Sequence, residues 1–343
     1  MLGCGGPERA SQPGGTLLFV SEQGGAPAVW RLSPEHATTG PLMGRPEVVI
    51  DAPGAWFPAD PDPRGADALL IAVEDDVRGH RESLWRVSLS DGARERLAGP
   101  HGRIRSPAWS PDGSWLVFET DAASYRDLFR ISRDGSQLKR LTDAPHGSFE
   151  PSVSPDGTQI VFASSRDMDA ELYRMGADGS DPVRLTRHPG DDLSPRFSPD
   201  GTQIAFIRLE EGQRRVWRMA PDGSGAKPVL STDASPLQTA FAWSPDGSRL
   251  AIVLEVGERD LDIHVVNASD GALVARFGSS GIDEHPAWSP DGRWLAWTSG
   301  DRSTSDVWIG PLDPKDPAGG PRRVTAGAGA DWLPRWLGSP AAR

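Results

Sequence analysis

The chain has 343 residues, a formal net charge of −12 and one cysteine, Cys4. An acidic surface lacks the Lys/Arg stripes that nucleic acid and anionic membranes require. A lone cysteine excludes an intramolecular disulfide, and no apolar run is long enough for a spanning helix. Gly (39) and Pro (32) are abundant, as in folds of many short strands and tight turns, while 13 Trp and 10 Phe require a core to bury them.

At the N-terminus, Leu2-Gly3-Cys4 fits the last three positions of a bacterial lipoprotein signal, in which the cysteine becomes the lipidated N-terminus. Residues 1–15 are rich in Gly, Pro and Ser and read as a tether. Three short apolar segments follow, around Thr16 to Val20, Val29 to Arg31 and Val48 to Ile50. They read as the second, third and fourth strands of a unit that lacks its first. A degenerate unit comes next, where Pro63-Arg64-Gly65 precedes the apolar Leu69-Leu70-Ile71.

The strongest signal then begins. Ser-Pro-Asp-Gly occurs at 110–113, 154–157, 198–201, 244–247 and 289–292, at spacings of 44, 44, 46 and 45 residues. Self-similarity at this period marks the blades of a propeller. Each copy leads into a strand such as Ile160-Val161-Phe162 or Ile204-Ala205-Phe206. A second strand carries an aromatic, as in Leu172-Tyr173, and a second Asp-Gly turn follows, as at Asp178-Gly179. A last strand such as Arg184-Leu185-Thr186 completes the unit. Asp-Gly supplies residues that tolerate a left-handed backbone, and the preceding Pro presets φ, so these aspartates read as turn makers. Trp109, Trp243, Trp288 and Trp336 recur once per unit and read as packing between units.

The chain ends with Pro334 to Leu337, which matches a first strand that has no unit after it. It is the strand missing at the front. The reading is therefore all-β: a seven-bladed β-propeller of four-stranded antiparallel blades over 16–337, closed by pairing the N- and C-terminal strands in one blade, with 338–343 as a tail. Six blades result if one degenerate copy is not a blade. Pairing the ends removes two exposed sheet edges.

These residues resemble the TolB-type (WD40-like, PD40) propeller repeat, whose unit centres on a Ser-Pro-Asp-Gly turn followed by an Ile-Ala-Phe-like strand. The resemblance implies a fold, and weakly a role, because propellers serve as scaffolds, receptors, lyases and peptidase gates. TolB itself is a periplasmic partner of a peptidoglycan-associated lipoprotein, with six blades and an added N-terminal domain.

In such a fold the first strand of each blade lines a central channel. The tight Asp-Gly turns occupy one face and the variable loops the other, for instance 74–83, and binding is expected on the variable face. Arg105, Glu150, Asp192, Asp283, Glu284, Asp331 and Trp332 precede or begin first strands and are expected to ring the mouth. With Trp56, Trp332 is also a candidate stacking surface. The resulting expectation is a non-enzymatic, extracytoplasmic and monomeric scaffold without metal or cofactor. It binds a protein or peptide partner, cationic in character, and meets the membrane only through a lipid on Cys4. The alternative is a metal-dependent, carbohydrate-active enzyme resembling oligogalacturonate lyase, with His101, His146, His188 and His285 converging on the channel. No Gly-x-Ser-x-Gly elbow and no phosphate-binding loop occurs in the sequence.

Overall fold

The computed structural model describes residues 15–338 apart from 24, 26, 33–45, 51–54, 60–61, 66, 77–78, 100–101, 123–124, 231–236, 279–280, 302–303, 317–318 and 326–328. The described elements are all strands, in units of four. The first unit is β1 (Thr16–Ser21), β2 (Ala28–Leu32) and β3 (Glu47–Val48), headed by the last strand of the chain, β28 (Asp331–Leu337). The second is β4 (Ala55–Pro58), β5 (Asp67–Asp76), β6 (Gly79–Ser88) and β7 (Arg94–Ala98). The third is β8 (Ile104–Trp109), β9 (Trp115–Thr120), β10 (Asp127–Ser132) and β11 (Lys139–Arg140). The fourth is β12 (Ser148–Val153), β13 (Gln159–Asp167), β14 (Asp169–Gly176) and β15 (Val183–Arg184). The fifth is β16 (Asp192–Phe197), β17 (Ile204–Glu210), β18 (Gln213–Met219) and β19 (Lys227–Pro228). The sixth is β20 (Gln238–Trp243), β21 (Arg249–Gly257), β22 (Asp260–Asn267) and β23 (Leu273–Phe277). The seventh is β24 (Ile282–Trp288), β25 (Trp294–Gly300), β26 (Asp306–Pro311) and β27 (Arg322–Arg323). Within each unit neighbouring strands are antiparallel, and one parallel pair, Leu261 with Ile282, links the sixth unit to the seventh.

The packing order closes on itself. Leu69 and Leu84 of the second unit share a core with Ile104 and Trp109 of the third, and the pattern repeats around the chain. The last core joins Trp294 and Ile309 of the seventh unit to Phe19 and Trp336 of the first. The first also packs on the second through Leu18, Leu337, Trp56 and Leu70. Seven units thus share seven interfaces; an open stack would have six. The expected stitch is present, since β28 pairs with β1 from Thr16–Leu337 to Ser21–Asp331.

The turns behave as their chemistry dictates. In the third unit Ser110 Oγ donates to Asp112 Oδ1 (2.6 Å), and the same carboxylate accepts from the Ser114 N–H (2.9 Å). Ser110 Oγ also accepts from the Trp115 N–H five residues on (3.1 Å). These hydrogen bonds, Ser110 first, hold the Asp112 carboxyl down at about 2. The Ser–Asp bond recurs at 2.6 Å in the other four copies. The degenerate unit keeps the design with altered residues. Asp62 takes the serine's place, accepting from the Arg64 and Asp67 N–H groups at 3.1 and 3.2 Å. Its carboxylate also grips Arg133 of the next unit at 2.9 and 2.8 Å.

Two details differ from expectation. Residues 74–76 and 79–83 are strand, not loop: β5 and β6 pair through them as far as Asp76 with Gly79. Trp56 is not at the surface; it is 6% exposed and packs edge-on against Trp85. The per-unit tryptophans do pack between units. Trp288 Nε1 donates to the Ala242 carbonyl (3.1 Å) and Trp243 Nε1 to the Arg196 carbonyl (3.3 Å), each reaching the preceding unit.

Candidate functional site

β12 packs against β8 and β16, and β24 against β20 and β28, so the first strands are the inner ones. Five of them carry a proline at one place (Pro107, Pro151, Pro195, Pro286 and Pro334), which has no N–H to give the ladder. The residue before it adopts a left-handed backbone: Ser106, Glu150, Ser194, His285 and Leu333 have φ between 47° and 58°. The pairing register slips at the same place in each, as between Arg105 and Ala108 or Glu284 and Ala287. Such a conformation costs a non-glycine residue on the order of 1–3 kcal/mol. Side chains of the neighbouring unit offset that cost. The Glu150 N–H donates to Glu119 Oε2 (3.0 Å), the Ser194 N–H to Glu150 Oε2 (2.6 Å), and the Leu333 N–H to Thr298 Oγ1 (3.2 Å). Burial raises the Glu119 carboxyl above its usual range, with Arg126 opposing.

The bulge sorts the seven expected rim residues. Three positions before each proline the side chain turns into its own sheet. Asp192 is fully buried and holds Arg208 through two 2.7 Å bonds. Asp283 is buried and accepts from Trp297 Nε1 (2.9 Å). Asp331 is fully buried, and burial pushes its carboxyl upward. These three aspartates are therefore internal, because a side chain at the sheet's inner register cannot also face solvent. Glu150 commits an oxygen to the next unit, and Arg105 is exposed beside Glu119 in the strand pairing.

Glu284 and Trp332 are the two that the structure brings together. They line a pocket of about 330 Å³ between the seventh and first units with Glu22, His285, Thr298 and Asp301. The pocket lies at the ends of β24 and β28, away from the Ser-Pro-Asp-Gly turns and on the variable face. Glu284 and His285 stand 3.7 Å apart and are each a little over one-third exposed. Burial, with the nearby Arg335 adding to it, holds His285 below its ordinary value against the pull of Glu284. A neutral imidazole leaves the Glu284 charge unspent. Glu22 and Asp301 are not among the expected rim residues, although both directly follow the second strand of their unit, as does Asp121. That period is the signal by which the sequence marks them.

Among the described residues each candidate histidine has its own separate neighbours. His146 leans on Tyr125 (5.8 Å between rings), His188 Nδ1 accepts from the Gly190 N–H (3.0 Å), and His285 lies 3.4 Å from Thr298 Oγ1. His101 and Cys4 lie outside the described residues. Among the described residues no group of three or more His, Cys, Asp or Glu is placed to hold a metal ion.

A closed ring of four-stranded antiparallel sheets with its pocket beside the inner strands defines a β-propeller. The chain matches the model of the TolB beta propeller domain, PD40, over residues 76–236 and 193–338, and belongs to that family. It is 29% identical over 137 residues to an uncharacterized protein, Atu1656, of Agrobacterium fabrum, covering 39% of this chain and 43% of that one. It is 32% identical over 83 residues to the Tol-Pal system protein TolB of Anaeromyxobacter dehalogenans, covering 24% and 18% of the two chains. These matches thus span less than half the length of either relative. An oligogalacturonate lyase in complex with manganese shares the fold, with a TM-score of 0.65 at 15% identity over 92% of this chain and 85% of that one.

Proposed function

We propose that the protein is a non-enzymatic, extracytoplasmic binding propeller whose variable face receives a cationic segment of a protein partner. The pocket between the seventh and first units carries this reading. Glu22, Glu284 and Asp301 line it together with Trp332, and His285 is biased toward its uncharged form. Carboxylates beside an indole suit a Lys or Arg side chain, which gains both ion pairing and cation–π attraction. The net charge of −12 steers such a partner in.

The test uses the full chain as bait for cell-envelope extract, beside the double variant Glu284→Lys/Trp332→Ala. The wild type retains a partner that a lysine-rich peptide displaces, and the double variant loses at least nine-tenths of it. Undiminished capture by the variant, or no peptide-displaceable partner, overturns the proposal.

The extracytoplasmic placement is supported by Leu2-Gly3-Cys4 and by the likeness to a Tol-Pal system protein. We infer that Cys4 carries the lipid. Labelled palmitate fed to cells is expected to enter the wild type and not Cys4→Ser; equal labelling of the two refutes the anchor.

A further inference from the structure

We propose a second site, within the channel, in which Arg196 binds a carboxylate group. A cavity of about 170 Å³ lies among the inner strands of the third, fourth and fifth units. Its walls include Pro107, Trp109, Pro151 and Ser152, and Arg196 supplies its cation.

The guanidinium is held by backbone alone. Arg196 Nη1 donates to the Pro195 carbonyl (2.8 Å) and the Glu150 carbonyl (3.4 Å). Among the described residues no carboxylate lies within ion-pair distance of it, and its Nε and Nη2 donate to no protein acceptor. The adjacent acids are engaged elsewhere. Glu150 accepts from the Ser194 N–H and Glu119 from the Glu150 N–H, each across a sheet interface. In a chain this acidic, a guanidinium held open toward a cavity is an anion receptor with its orientation already set. An arginine fork matches the two oxygens of a carboxylate. Ser152 Oγ, which accepts from the Phe197 N–H (3.2 Å), keeps its own hydrogen to donate. Arg335 occupies the same place in β28 and makes the same bond to its own proline's carbonyl (3.0 Å). Among the equivalent positions these two carry arginine, while the others are Ala108, Ser152 and Ala287. The volume suits one small acid or the last residue of a peptide.

The experiment follows the arginine Nε–H signals of the ¹⁵N-labelled full chain by NMR. It titrates N-acetylglycine, trialanine with a free carboxyl terminus, and trialanine amide. Arg196→Gln identifies the signal and removes the site. The Arg196 signal is expected to move saturably with a carboxylate, with Kd on the order of 1 mM or tighter. Arg196→Gln weakens binding at least tenfold, read on the remaining shifted backbone amides, with its thermal transition unchanged. Response to both acids marks a small-acid site; response to trialanine alone marks a peptide terminus. Glu284→Lys leaves the titration intact, so this site stands or falls apart from the pocket of the variable face. Equal binding of the amide, binding unchanged in Arg196→Gln, or no movement of the signal refutes it.

Discussion

A chain that ends at Gly329 is expected to lose its cooperative thermal transition and to elute as expanded or associated species. The cut removes β28, the inner strand of the first unit, although that strand lies at the far end of the sequence. Trp336 leaves the core shared with the seventh unit, and Leu337 leaves the core shared with the second. Both are nearly inaccessible to solvent. Deleting a buried Trp or Leu side chain costs about 3–5 or 2–5 kcal/mol respectively. Together this approaches the roughly 5–15 kcal/mol that stabilises a whole domain. The cut also bares the edge of β1, a template for association. The single change Trp336→Ala keeps the strand and should cost about 3–5 kcal/mol while leaving a cooperative transition. Circular dichroism on heating, with light scattering on the eluted protein, distinguishes the outcomes. A folded, monomeric truncation would show that the ring does not depend on this stitch.

Arg208→Ala is expected to destabilise the protein by about 3–5 kcal/mol in urea unfolding, because it strands a buried charge. Asp192 is 0% exposed, and both its oxygens are held by that guanidinium. Arg208 also lies over the Trp217 ring, 4.4 Å from its centroid, so packing is lost with the charge. Asp192→Asn should cost less, since the amide oxygen still accepts one bond. The double replacement Arg208→Leu/Asp192→Leu should recover much of the loss, because neither charge is then buried alone. A loss below about 1 kcal/mol for Arg208→Ala, within the range of an exposed pair, would mean that Asp192 reaches water.

The closing strand and the buried pair differ in how openly the sequence displays them. β28 is legible because its pattern, Pro334 to Leu337, repeats a motif whose meaning is local: a strand ending at a turn. The Ser-Pro-Asp-Gly turns are legible for the same reason. Their hydrogen bonds, as from Ser110 to Asp112 and from Trp115 to Ser110, span five residues at most. Even the degenerate turn at Pro63-Arg64-Gly65 keeps its identity, since Asp62 does the serine's work.

The site is less legible because it depends on partners a whole unit away. Asp192, Asp283 and Asp331 carry the same charge as Glu284 and sit beside equivalent prolines. Only the bulge, one residue of register, sends them inward and leaves Glu284 and Trp332 at the pocket. The bulge is itself supported from outside its strand, as when the Ser194 N–H finds Glu150 across 44 residues of sequence. Period and turn chemistry by themselves determined the repeat, the blade and the closing strand, because those follow from backbone preferences within a few residues. Which acids are buried, which arginine faces the channel and which carboxylates share a pocket were decided only when the ring closed, because burial and charge pairing are properties of neighbours in space.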